Sequence, residues 1–231
     1  MIISHKHKFI FVKTKKTAGT SIEIALSKIC GNEDIITSIS QKDEIIRKEY
    51  SQRTAQNDKI PINKYSKFDF IKSLSQRNML RFYNHMPCSE IKRFVSKQVW
   101  DDYYKFTIDR NPFDKVVSLY YWSGGDKKFN GIYEFLISRE KETFVNFNSF
   151  DIYTINDIVA VDTIYKYENI NSICSDIAEN LQLKETLALP TYKAKSHTRK
   201  VNNYRDVLDE KSIELIKNIF AREIKLLGYE Y

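Results

Sequence analysis

Two short stretches of this chain carry residue types that could hold an anion. The first is Lys13-Thr14-Lys15-Lys16-Thr17-Ala18-Gly19-Thr20-Ser21. It follows a β-rich apolar run at 8–13 (KFIFVK) and leads into 20–30, where Ile22, Leu26 and Ile29 recur on one helical face. A helix N-terminus presents free N–H groups and the positive end of the helix dipole, which together attract oxyanions. Gly19 lets the backbone come close to such a group, Thr20 and Ser21 add hydroxyls, and Lys16 adds a charge within reach. The stretch is not a Walker A loop, because its single Gly follows the lysine by three residues instead of preceding it.

The second stretch is Arg110-Asn111-Pro112-Phe113-Asp114-Lys115-Val116-Val117-Ser118-Leu119-Tyr120. An arginine at a strand end, before a helix opened by Asn-Pro, offers a bidentate phosphate donor. Ser118, two turns into that helix, can meet the same anion. Taken alone, each stretch also reads as a capped helix with solvated or salt-bridged cations.

The elements that must position these residues alternate. Strands are expected at 8–13, 80–85 (LRFYNH), 104–109 (YKFTID) and 161–167 (VDTIYKY). Helices are expected at 20–30, after Pro87 with Ile91, Phe94, Val95 and Val99 inward, after Pro112, at 169–181, and from Asp209 to about Leu227. Strand–helix alternation implies an α/β fold with a parallel sheet covered on both faces. Ligands of such sheets sit at the carboxyl ends of the strands. The stretch 40–77 is the least structured and reads as an excursion or lid within one domain spanning 1–231.

Taken together, FVKTKKTAGTS and RNPFDKVVSLYYW resemble the two nucleotide-binding signatures of the PAPS-dependent sulfotransferases, closest to their carbohydrate-sulfotransferase-like branch. NHMPCSEIK at 84–92, DTIYKYENI at 162–170 and REIKLLGYEY at 222–231 extend the likeness. The resemblance implies a single domain with a P-loop-NTPase-like sulfotransferase fold and a central, mainly parallel sheet. It implies that Lys16, Thr17, Ala18, Gly19, Thr20 and Ser21 bind the 5′-phosphosulfate side of PAPS, and that Arg110 and Ser118 hold its 3′-phosphate. It implies a basic loop at 190–205 that closes over the nucleotide, with Lys195 and Arg199 as contacts. Lys15 departs from the family's usual proline, Lys13 from a common histidine, and Asp109 from an apolar residue before the arginine.

Sulfuryl transfer is an in-line displacement in which positioning and electrostatics dominate, by analogy with phosphoryl transfer. Lys16 is expected to stabilise the leaving phosphate oxygen. His85 is the expected general base, since it ends the second expected strand and an ordinary imidazole titrates near about 6.5; Glu23 and Glu90 are the fallbacks. No metal is expected. The expected acceptor is a small molecule or glycan bearing a hydroxyl or amine, gathered by 40–77 and the region 123–160.

Composition bounds the alternatives. Lys and Arg number 37 against 30 Asp and Glu, a formal net charge of +7. The 42% hydrophobic content excludes an intrinsically disordered chain. Cys30, Cys88 and Cys174 form neither a paired framework nor a zinc spacing, which suits a reducing compartment. With no apolar run long enough to span a bilayer and no signal-like start, the chain is expected to be cytoplasmic, with no membrane partner. A basic nucleic-acid-binding module is the non-enzymatic alternative. It lacks an RNP-like strand, a zinc finger or an arginine-rich arm, so no nucleic-acid partner is expected. A Mg²⁺-dependent kinase or NTPase is the enzymatic alternative, with Asp109 at the end of FTID as metal ligand. The basic residues of three segments, Lys13, Lys15 and Lys16, then Arg110 and Lys115, then Lys195, Arg199 and Lys200, are expected to converge on one pocket.

Overall fold

A computed structural model describes residues 1–138, 149–191, 201 and 203–231. β1 (Ile2–Ser4), β2 (Phe9–Val12), β3 (Ile35–Ile36) and β4 (Tyr104–Asp109) come first. β1 and β2 are apolar on both faces, as strands covered from two sides are, whereas β4 places Lys105, Thr107 and Asp109 on one of its faces. β5 (Thr154–Ile155) and β6 (Ile158–Val159) pair separately, and β7 (Thr163–Lys166) completes the main sheet in the order β3-β1-β2-β4-β7. β2, β4 and β7 are mutually parallel, with Val12 opposite Thr107 and Asp109 opposite Lys166. β1 is antiparallel to both β2 and β3, so it alone runs against the other four. The expected α/β architecture with a mainly parallel sheet is therefore present.

Alternation along the strands feeds two layers. Phe9, Phe11, Phe106 and Ile108 pack with α1 (Gly19–Ser27) and the helix Ile170–Asn180. Ile10 and Val12 pack on the other side, against Ile91, Phe94 and Tyr153. A third cluster joins Phe113, Val116 and Val117 to Ile216 and Phe220 of the closing helices.

Four expectations change. Residues 80–85 make no strand: Arg81 forms one bridge to Lys59, and the chain then turns at Asn84 and His85, where His85 has φ 63°. A left-handed residue cannot continue an extended run. The segment 40–77 is not irregular, because it holds α2 (Gln41–Ser51) and α3 (Lys67–Gln76), both capped by serines. The helix after Pro87 is two, α4 (Cys88–Phe94) and α5 (Lys97–Asp102), since Val95 turns extended and Ser96 caps the second. The last helix is also two, Glu210–Ile219 and Ala221–Leu227, broken at Phe220. The strand Ile2–Ser4 carried no expectation at all.

The helix after β4 matches its expectation closely. α6 (Pro112–Trp122) has Asn111 as N-cap, its side chain accepting from the Phe113 N–H at 3.0 Å, and proline in the first turn. Among the described residues no helix is long and apolar enough to cross a membrane.

Candidate active site

β2 and β4 are neighbours and parallel, so the loops that leave them emerge at one edge of the sheet. Three hydroxyl contacts order this edge, one between β4 and β2, one between the loop and β4, and one within the loop. Thr107 Oγ1 donates to the Val12 carbonyl at 2.7 Å, Thr14 Oγ1 donates to the Ile108 carbonyl, and Thr14 and Thr17 hydroxyls meet at 2.9 Å. Thr17 is buried, so its hydroxyl shapes the loop, whereas Thr20 and Ser21 remain partly accessible. Lys16 and Ala18 both take left-handed backbone conformations, at φ 63° and 55°. Such conformations cost roughly 1–3 kcal/mol each in a non-glycine residue and tend to gather at functional sites. Ala18 is the N-cap of α1 and provides no side-chain cap. The first-turn N–H groups are thus left without the usual serine or threonine acceptor.

Gly19 plays a different part from the one expected. A Cβ there would lie 2.8 Å from Lys13 Cγ, so the missing side chain makes room for the Lys13 stem. Lys13 runs past Gly19 to Glu23, with Nζ 2.7 Å from Oε2, and both side chains are buried. Glu23 Oε1 also accepts from Arg47 of α2 and from the Met1 amino group, each at 3.0 Å, and from Thr37 at 3.2 Å. Burial alone would raise the Glu23 carboxyl; Lys13, the Met1 amino group and Arg47 outweigh it and hold it at about 2. Burial pulls the Met1 amino group down to about 5, so the lasting countercharges at neutral pH are Lys13 and Arg47. Glu23 is therefore a structural anion. Burial also lowers Lys15, which stands half-exposed in the loop.

The second stretch meets the first directly. Arg110 Nη1 donates to the Lys16 carbonyl at 3.2 Å, its Nε and Nη2 donate to Asp114 Oδ2 at 2.8 and 2.5 Å, and its guanidinium lies 4.1 Å over the Tyr167 ring. Lys16 Nζ lies 4.8 Å over the Trp122 ring. Asp114, Ser118 and Trp122 recur every four residues on α6 and so share one face. Ser118 thus lies between two residues that both engage the first stretch, Asp114 through Arg110 and Trp122 through Lys16.

Asp109 and Lys115 do not join them. Asp109 Oδ1 accepts from the Arg110 N–H at 2.8 Å and from Lys115 Nζ at 2.5 Å, and Oδ2 accepts from the Tyr153 hydroxyl at 3.0 Å. Lys115 Nζ also donates to Ser149 Oγ at 3.0 Å. Both side chains are buried, so Asp109 anchors α6 to the core and does not pair with the Arg110 guanidinium. The metal-ligand role that a kinase reading assigns to Asp109 is closed by these partners. The expected convergence of basic residues is corrected accordingly: Lys13 and Lys115 are core ion pairs.

His85 arrives from the third side. Its Nδ1 lies 3.0 Å from the Lys13 carbonyl. A carbonyl only accepts, so Nδ1 carries the proton and Nε2 keeps its lone pair. Burial, and then the Lys13 charge, hold His85 down at about 3, while the carbonyl contact opposes them. The ring is neutral at physiological pH, and the ordinary imidazole value on which its expected role rested is corrected: burial makes it a much weaker base. The side-chain oxygen of the adjacent Asn84 is buried with no hydrogen-bond partner among the described residues. Glu90, the other fallback base, accepts from the Tyr83 hydroxyl at 3.0 Å. Lys195, Arg199 and Lys200 lie outside the described residues.

Sequence reasoning missed Trp122, Tyr167 and Asp114 as neighbours of the two motifs. For Trp122 and Asp114 a signal existed, the four-residue spacing on either side of Ser118; for Tyr167, 57 positions from Arg110, none did.

The family comparison gives the class of group-transfer protein to which this arrangement belongs. The chain matches the Sulfotransferase family across residues 1–230 and belongs to it. It is similar to an uncharacterized protein of Archaeoglobus fulgidus, 34% identical over 125 residues that cover 53% of this chain and all of that one. No solved structure matches it.

Proposed function

We propose that this sulfotransferase takes its sulfuryl group from PAPS and passes it to a hydroxyl or amine of a small-molecule or glycan acceptor, with His85 as general base. The observation that carries the reading is the meeting of three distant segments at one sheet edge: Arg110 on the Lys16 carbonyl, and His85 on the Lys13 carbonyl. The donor set suits a ligand with phosphates at two ends. Lys16, the uncapped start of α1, Thr20 and Ser21 suit one anionic group, and Arg110 with Ser118 suits another. Bound PAPS would supply an activated sulfuryl group on a phosphate leaving group.

The chain's own residues then do the following. Lys16, whose ammonium lies over the Trp122 ring, balances the negative charge of the leaving phosphate oxygen. Arg110, braced by Asp114 and Tyr167, offers its guanidinium edge in a fixed orientation. His85 Nε2 takes the acceptor's proton, and Nδ1–H on the Lys13 carbonyl keeps the ring in the right tautomer. We place the protein in the cytoplasm as part of the same reading.

The test is a thermal-shift titration with PAP, ATP and ADP. Ligand bound to the native state raises Tm according to RT ln(1+[L]/Kd). A response selective for the 3′-phosphate of PAP is expected, reduced by Lys16→Ala. An equal or larger response to ATP would overturn the reading.

A further inference from the structure

Helix α3 is built inside out. At 100° per residue, Phe68, Phe70, Ile71 and Leu74 fall within one arc of about 160°, and Asp69 and Ser73 lie opposite. In a globular helix the apolar arc faces the core. Here it faces solvent: Phe68 is 74% exposed, Leu74 71%, Ile71 64% and Phe70 52%, whereas Asp69 is buried. The polar side is what ties α3 down. Asp69 closes a capping box with Ser66 and accepts from Arg93 of α4 at 2.6 Å, and Ser73 Oγ donates to the Asn78 carbonyl at 2.7 Å. Beside the helix, Ile62, Tyr65, Phe70, Leu74 and Met79 line a groove of about 310 Å³. Exposed apolar area of this continuity marks an interaction surface.

The charge around it selects the partner. Between residues 64 and 77 the chain has four basic side chains, Lys64, Lys67, Lys72 and Arg77, and one acidic one, Asp69, already held by Arg93. On the helical wheel Lys72 and Arg77 flank the apolar arc and Lys67 sits within it, each with a long stem that can lie along an apolar surface while its charge reaches a polar one. An apolar arc bordered by cations matches a membrane interface with anionic headgroups.

We propose that α3 and its flanks dock this protein on an anionic lipid bilayer, the helix lying in the interface with Phe68, Phe70, Ile71 and Leu74 inserted. The expectation of no membrane partner rested on spanning segments, and a helix that lies on a surface needs none.

The test is co-sedimentation of the full chain with phosphatidylcholine vesicles prepared with and without phosphatidylglycerol. Binding is expected only where the anionic lipid is present, and it should weaken as salt is raised. Phe68→Ser/Leu74→Ser should lower the partition coefficient by about tenfold or more, and Lys64→Gln/Lys72→Gln by a similar factor. Tm should stay unchanged in both variants, since none of the four side chains packs in the core. Absence of vesicle binding, equal binding to neutral vesicles, or unchanged binding by both variants overturns the proposal. So does a concentration-dependent dimer, seen by light scattering and abolished by Phe68→Ser/Leu74→Ser without any vesicle binding, which would make this face a contact between copies.

Discussion

Lys13 and Glu23 face each other at 2.7 Å across the first turn of α1, both shut away from solvent, and the backbone of Gly19 lies flat against the lysine stem between them. The loop between β2 and α1 is thereby clamped at its base. Its partly accessible residues are Lys15, Lys16, Ala18, Thr20 and Ser21.

Breaking that pair should unfold the protein more readily. Lys13→Met leaves a buried carboxylate short of one countercharge, and losses of roughly 3–5 kcal/mol are typical of such changes. Urea denaturation at neutral pH measures it; a loss under about 1 kcal/mol would show that Arg47 alone suffices for Glu23. The pair also fixes an acid dependence. Glu23 is held at about 2 in the folded chain, below about 4.3 for a free glutamate. Its contribution is therefore complete above the unfolded value and lost as pH falls from there toward 2. Glu23→Gln should be less stable at neutrality and lack this part of the acid transition.

Gly19→Ala probes the same contact from the other side. The added methyl would meet Lys13 Cγ at 2.8 Å, near the root of a side chain whose far end is fixed by Glu23. Overpacking of this kind costs typically about 1–3 kcal/mol. We expect a lowered Tm together with weaker PAP binding, because the lysine stem can relieve the clash only by shifting the loop. Unchanged Tm and unchanged affinity would mean that the loop yields freely.

His85→Ala should lower the rate of transfer by about 10²–10⁴-fold while leaving PAP affinity near that of the unaltered protein. Full activity would remove His85 from the chemistry. The pH profile adds a sharper check. With His85 held at about 3, the free protein's base is already unprotonated throughout the neutral and mildly acidic range. The profile of kcat/KM should therefore show no acid limb near about 6.5, and such a limb would mean that His85 titrates as an ordinary imidazole. Stability carries the opposite mark. Below about 6.5 the unfolded chain takes up a proton that the folded one refuses, so stability falls as pH drops toward 3. His85→Ala should flatten that slope in denaturation curves recorded between those limits.

Local signals carried most of what could be read beforehand. Asn111-Pro112 announces α6 through capping and a fixed φ, and YKFTID is apolar enough to place β4 to the residue. Where the expectations failed, the tertiary fold and not the local pattern chose the partner. Lys13 and Lys115 look like pocket cations until Glu23, Arg47, Asp109 and Ser149 are brought against them. LRFYNH has the composition of a strand, yet His85 must turn left-handed to place Nδ1 on the Lys13 carbonyl. α3 escaped because its pattern is a good amphipathic one pointing the wrong way, and orientation is a tertiary property. The contacts of Arg110 with Lys16 and of His85 with Lys13 were legible only through the order of the motifs and the rule that ligands gather at strand ends.

The two buried ion pairs also bear on how an anion first finds this edge. Lys13 and Lys115 each touch a carboxylate, and Arg110 touches Asp114, so from beyond a Debye length these pairs look nearly neutral. Diffusional steering of a nucleotide therefore rests on the chain's net charge of +7 as a whole and not on these pairs, and the association rate should fall as ionic strength rises. Discrimination would then reside in how slowly the right ligand leaves.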